Sequence, residues 1–332
     1  MRAPTAADGE PVAIAAVTPH MPPVLALILR RLAAGVAVLL LVHLATFIAL
    51  RLMPGDPWAD VAGDRALPAA AVERLKELYG QGGNRSVVSQ YVRDLGDKLT
   101  GDFGLSLKIA RGHSVLGLIA AAAPVSLAIG AGALALGLLL GVWAGTVAAR
   151  TAGRWPDRTL RAGATLGIST PDFILAPLLL TAFSLWLGWL PAGGIERSSA
   201  LVLPVLTLGL PLAAQLARLV RTSLSDELAA DFVRTARAKG ADEGRIVYEH
   251  ALRPAFGPVL AYLATAAAAV LTGSMVVETV FAVPGLGYFF VAGALQQDWT
   301  VVTGAALFYA VLLVGFNLLA DLGLAWLDPR TR

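Results

Sequence analysis

The sequence of 332 residues contains no cysteine. Disulfides, iron–sulfur clusters and thiol catalysis are therefore excluded. Charge is also scarce: 15% of residues are Asp, Glu, Lys or Arg, against about a quarter in a soluble domain. With a mean hydropathy of +0.69, this composition belongs to an integral membrane protein. No lysine follows a glycine, so the chain has no Walker A phosphate loop and no nucleotide hydrolysis of its own. The four histidines are scattered (His20, His43, His113, His250) and none precedes a glutamate, so a zinc-protease motif is missing. No Gly-x-Ser-Gly suggests an intramembrane serine protease. The net charge of +3 is small and follows topology, so nucleic-acid binding is not implied.

What is present is a series of apolar runs. Residues 1–27 form an Ala- and Pro-rich tail without helical period, expected to be disordered and cytoplasmic, with Met21 as an alternative start. The first span is expected at 28–52, its apolar run Leu32–Leu52 matching the roughly 20 residues a bilayer requires. His43 lies mid-span and reads as a core histidine ahead of a pore residue. Residues 53–112 are mixed in character and expected outside the cell, with amphipathic helices at Pro68–Tyr79 and Val88–Leu99. A membrane core of apolar runs then extends over 113–327. Its spans are expected at Val115–Ala149, Ala162–Leu190 (interrupted by Pro171 and Pro177), Leu201–Leu219, Ala255–Val277 and Val301–Trp326. Small residues in the Val115–Ala149 run suit close helix packing in lipid. Glu278–Trp299 reads as a loop with a half-helix. Asp321, four residues after Asn317, reads as the partner of a basic residue ahead of a functional intramembrane carboxylate.

Six spans put both termini on one side. The loops at 150–161 and 218–253 and the two termini hold sixteen of the 26 Lys and Arg. The positive-inside rule makes those segments and the tail at 328–332 cytoplasmic.

One polar stretch stands out after residue 113: Asp231–Pro254, within the loop 222–253. It reads as two short helices joined at a glycine. Ser225 is expected to cap the first, with Asp226 and Glu227 in its first turn. Lys239 closes it, Gly240 takes the left-handed position, and Asp242 caps the second helix. Ala229, Ala230, Val233 and Ala236 share one side, Arg234 and Arg237 another. The pattern reads as a cytoplasmic docking element, the plainer alternative being an amphipathic loop on the membrane surface.

Four motifs, in order, carry a family resemblance covering about residue 28 to the end. They are Pro54-Gly55-Asp56-Pro57 after the first span, Gly101-Asp102-Phe103-Gly104-Leu105-Ser106, Phe232–Gly240 with His250–Arg253, and Glu278–Gly287 with Leu327–Arg330. The chain resembles the transmembrane subunit of binding-protein-dependent ABC importers of the peptide/nickel group, in its B-type form. The general importer signature has Glu-Ala-Ala, three residues, glycine, nine residues, then Ile-x-Leu-Pro. Gly240 and Ala236 hold their places, whereas Arg234, Thr235, His250 and Arg253 depart from it.

The resemblance implies an all-α membrane protein with the six-helix type-I (MetI-like) importer fold and a helical external segment after the first helix. It implies a pore-forming subunit in the bacterial cytoplasmic membrane that takes up di- or oligopeptides, with nickel or metal-chelate import as the alternative. A stand-alone secondary transporter or channel is the competing class. The implied partners are two ABC ATPase subunits, a second permease, an extracytoplasmic binding protein and membrane lipid. ATP-Mg is used by the partners, and the chain itself binds no cofactor or metal. The expected ATPase-coupling residues are Gly240 and Ala236 for fit and Asp231, Arg234 and Arg237 for polar contact.

Overall fold

The computed structural model describes residues 23–52, 70, 74 and 86–327. The described residues form helices α1 (Pro23–Leu52), α2 (Val87–Leu99), α3 (Val115–Arg150), α4 (Trp155–Ser169) and α5 (Asp172–Leu179). After them come α6 (Val202–Leu228), α7 (Asp231–Ala238), α8 (Leu252–Val280), α9 (Leu286–Gln296) and α10 (Trp299–Leu327). Wide π-helical turns extend α5 over Leu180–Trp186 and precede α8 over Ile246–Ala251. Four helical segments are individually long and apolar enough to cross a membrane: Ile28–Ala49, Val115–Arg150, Ser198–Leu228 and Trp299–Gly323. Two bent pairs, Trp155–Ser169 with Asp172–Trp186 and Glu243–Val270 with Gly273–Val280, bring the number to six if each is one span. Apart from residues 70 and 74, the expected helix at Pro68–Tyr79 lies outside the described residues, as do the Pro-Gly-Asp-Pro motif, the tail up to residue 22 and the last five residues. Helix α1 itself begins at Pro23, within the stretch read as tail.

The third span differs in shape from the expected interrupted helix. Its two arms meet at 107°. The break falls at Thr170-Pro171, where a residue before proline is driven out of the α region; Thr170 has ψ 112°. Pro177 instead lies inside α5.

Helices α3 and α6 form the most extensive packing in the bundle. Glycines make it possible. A Cβ at Gly137, Gly141 or Gly145 of α3 would collide with Leu212, Leu216 or Val220 of α6, respectively. The backbones thus approach at one-turn intervals, the small-residue contact that drives association where lipid is as apolar as leucine. Leu212, Leu216 and Val220 continue into a core with Ile129, Val259 and Phe281. Helix α1 packs on α10, where Arg31 Nε lies 2.6 Å from Asp321, the basic partner expected for that carboxylate. His43 is buried against α2, 3.5 Å from Asp94 and stacked near Tyr91 and Phe47, which is the core reading of that histidine.

Candidate coupling site

The docking stretch begins later than its caps suggested. Ser225, Asp226 and Glu227 belong to the last turns of α6, which ends at Leu228. Ala230 is extended and precedes α7, so Asp231 is the acid in the first turn. Leu224 is fully buried and Leu228 packs against the same cluster, so burial of α6 carries the helix past Ser225.

The end of α7 follows the sequence expectation. Gly240 has φ +79°, and nothing lies within 4 Å of where a Cβ would sit. Conformation, not space, requires glycine. The Gly240 amide donates to the Arg237 carbonyl at 3.0 Å and the Ala241 amide to the Ala236 carbonyl at 3.1 Å. These two bonds are the Schellman termination, which satisfies carbonyls the helix leaves open. Asp242 then caps the next turn, accepting from the Gly244 amide at 2.8 Å.

The two faces of α7 have different fates. Val233 is fully buried among Ala149, Leu224, Ile246, Val247, Ala251 and Ala255, and Ala236 packs partly against the same group. The small-residue side therefore seats α7 on the chain's own base. The opposite side is open. Asp231 and Arg234 are 96% and 75% exposed and make a loose pair at 3.4 Å. Phe232 is also exposed. Arg237 is turned to Glu243, across the Gly240 turn, with hydrogen bonds of 2.7 and 3.3 Å. That contact raises the Arg237 guanidinium further above its ordinary range. Of the five expected coupling residues, Asp231, Arg234, Arg237 and Gly240 thus share the open surface, while Ala236 supports it from below.

Two carboxylates brace the bundle and were not singled out in the sequence. Asp157, at the start of α4, is 1% exposed and receives two bonds from Arg221 of α6, at 2.6 and 2.9 Å, and one from the Gly153 amide at 2.9 Å. Asp298, just before α10, is buried and gathers the motif Gly101–Ser106 onto the far end of the bundle. It accepts from Ser106 Oγ at 2.6 Å and from the amides of Leu107, Lys108 and Ile109 at 3.2, 2.9 and 3.1 Å. Burial alone pushes the Asp298 carboxyl up, but these four donors together outweigh it and hold it below the ordinary carboxylate value. The only sequence signal for Asp298 was its place as an acid immediately before a helix. Glu278, read as the start of a loop, ends α8 instead and accepts the Gly287 amide at 2.7 Å, fixing the start of α9. Among the described residues, no group of three or more His, Asp or Glu is arranged to hold a metal ion.

A bundle of long apolar helices with two sharply bent helix pairs, and with an exposed helix–glycine turn mounted on a packed base, is the build of a helical multi-pass membrane protein. Residues 137–332 match the family described as the binding-protein-dependent transport system inner membrane component. The chain is 39% identical over 308 residues to the oligopeptide transport system permease protein OppB of Haemophilus influenzae, covering 92% of this chain and 98% of that one. It is 35% identical over 304 residues to the dipeptide transport system permease protein DppB of Bacillus subtilis, with coverages of 92% and 97%. Its fold is shared with an inward-facing MetNI methionine ABC transporter structure at a TM-score of 0.55 and 21% identity, over 64% of this chain and 97% of that one. The chain belongs to the binding-protein-dependent transport system inner membrane component family, whose members are ABC permease subunits of the inner membrane.

Proposed function

We propose that this chain is a pore-forming subunit of an ATP-driven importer of di- and oligopeptides. A second, homologous permease completes the translocation path, two ABC ATPase subunits bind from the cytoplasm, and an extracytoplasmic binding protein delivers the peptide. ATP-Mg is used by the ATPases alone. Both termini and α7 face the cytoplasm, in keeping with the distribution of Lys and Arg.

The observation that carries this reading is the construction of α7. An exposed helix of eight residues presents Asp231 and Arg234 outward, while Val233 anchors it to the ends of α3, α6 and α8. Force applied to α7 reaches the spans directly. ATP favours the outward-open state only through contacts that differ between the two states, and a rigidly mounted docking helix supplies such contacts. The likeness to permeases named for oligopeptide and dipeptide transport, over nearly the whole chain, supports peptides as cargo.

The test is gentle isolation of the tagged chain from its native membrane, then reconstitution of what accompanies it. Co-recovery of ATPase and permease partners, with ATP-dependent uptake of short peptides, is expected. Recovery of the chain alone with uptake that ignores ATP would place it among self-sufficient transporters.

A further inference from the structure

Asp172 opens α5 immediately after the 107° break at Pro171. Its half-buried carboxylate makes no hydrogen bond or ion pair with any described residue. It faces a cleft of about 240 Å³ between the broken span, α6 and α8, lined also by Ile168, Leu208, Gln215, Tyr262 and Val270. The other broken span turns at the same level: Glu243–Val270 and Gly273–Val280 meet at 48°, and a Cβ at Gly273 would sit 3.5 Å from the Asp172 carboxylate. Irregular backbone inside a membrane is tolerated where it lines a protein-walled or watery cavity. Two breaks therefore converge on one carboxyl group that has no partner among the described residues.

The remaining polar groups come from two helices, Tyr262 from α8 and Gln215 from α6. Gln215 accepts a hydrogen bond from Arg218 Nη2 at 3.1 Å. Arg218, one helical turn further, lines the neighbouring cleft with Arg161, Thr165 and Thr222. A carboxylate, an amide and a phenol among apolar walls, with a guanidinium about one turn (~4.5 Å of rise) beyond the amide, match a zwitterion with an apolar body. An unpaired carboxylate within a membrane span is costly unless it serves a pathway.

We infer that the Asp172 cleft, with Gln215 and Tyr262, is a way-station for the free ammonium terminus of the transported peptide, whose carboxylate end points toward Arg218. This rests on the peptide-import reading above. Asp172 contributes an ionic contact and Gln215 and Tyr262 contribute hydrogen bonds; no covalent step is involved.

The experiment uses the complete importer in proteoliposomes, with its binding protein saturated by labelled short alanine peptides, either free or N-acetylated. Saturation of the binding protein is measured separately for each peptide, so that uptake differences report the permease. The intact importer is expected to take up free peptide faster than acetylated peptide by about tenfold, the scale of a charged hydrogen bond. Asp172→Asn should abolish that preference, and Asp172→Glu, which moves the same charge by one methylene, should restore part of it. If Asp172→Asn fails to assemble, the Asp172→Glu and Gln215→Leu variants carry the test through the same ratio. An unchanged ratio in variants that assemble overturns the site while leaving peptide import standing. Absence of ATP-dependent uptake of any peptide by the intact importer overturns the import reading and the site together.

Discussion

Arg237 holds Glu243 across the Gly240 turn through two hydrogen bonds, at 2.7 and 3.3 Å. The pair joins the end of α7 to the segment that leads into α8. The left-handed glycine between them sets the angle. Val233 packs below the turn, against Ile246, Val247 and Ala251 of the segment that leads into α8, and the exposed pair closes the turn above.

Gly240→Val should uncouple ATP hydrolysis from uptake without loss of membrane insertion. Valine in the left-handed conformation costs about 1–2 kcal/mol, and the Schellman bonds hold α7 in place only while that conformation persists. Peptide uptake per ATP hydrolysed in proteoliposomes is expected to fall several-fold. Gly240→Asn, which tolerates this conformation, should retain most of it. Equal coupling in the valine variant would contradict the role of the turn.

The Asp298 anchor makes the Gly101–Ser106 motif sensitive to acid. Its carboxyl is held below the ordinary value in the folded chain, so the charged form stabilises the fold above the unfolded value, near 3.8. That stabilisation is lost as pH falls through the lower, folded value. Proteolytic nicking of residues 101–114 should therefore rise as pH drops below about 4. Asp298→Ala should show raised nicking at neutral pH, corresponding to about 1–3 kcal/mol of lost local stability. A variant protected as well as the native chain at neutral pH would remove Asp298 from this role.

Gly141→Leu tests the α3–α6 seam. A Cβ there already collides with Leu216 and approaches the Ala213 carbonyl. Forcing a larger side chain into a packed contact costs typically 1–3 kcal/mol. The yield of monodisperse protein in detergent should fall sharply, whereas Gly163→Leu, with nothing within 4 Å of its Cβ position, should be tolerated. Similar yields for both would argue against the seam.

The termination of α7 was legible because it is local: Lys239, Gly240 and Asp242 act within three residues of each other. Its start was not. Ser225 is a good capping residue, but α6 continues through it because Leu224 and Leu228 bury into the base. The spans could be read from hydropathy, and the Thr170-Pro171 break from proline chemistry, but not the 107° angle, which tertiary packing decides. The asymmetry of α7 was also hidden. Small residues at 233 and 236 fit a partner's surface and the chain's own base equally well by pattern, and the structure assigns them to the base. Asp157 and Asp298 find their partners 64 and about 190 residues away, a distance at which no periodicity speaks.

The most direct measurement uses the absence of cysteine. Arg234→Cys on the outer face of α7 gives a chain with a single thiol, and Arg111→Cys gives a control in the segment expected on the opposite side of the membrane. Each is assembled into the importer and treated with a short bifunctional thiol–amine cross-linker. Arg234→Cys is expected to join to the ATPase subunit, with a yield that changes when ATP is bound, and Arg111→Cys is not. Cross-linking of the ATPase through Arg111→Cys, or none through Arg234→Cys in an assembled and active complex, would contradict α7 as the coupling helix.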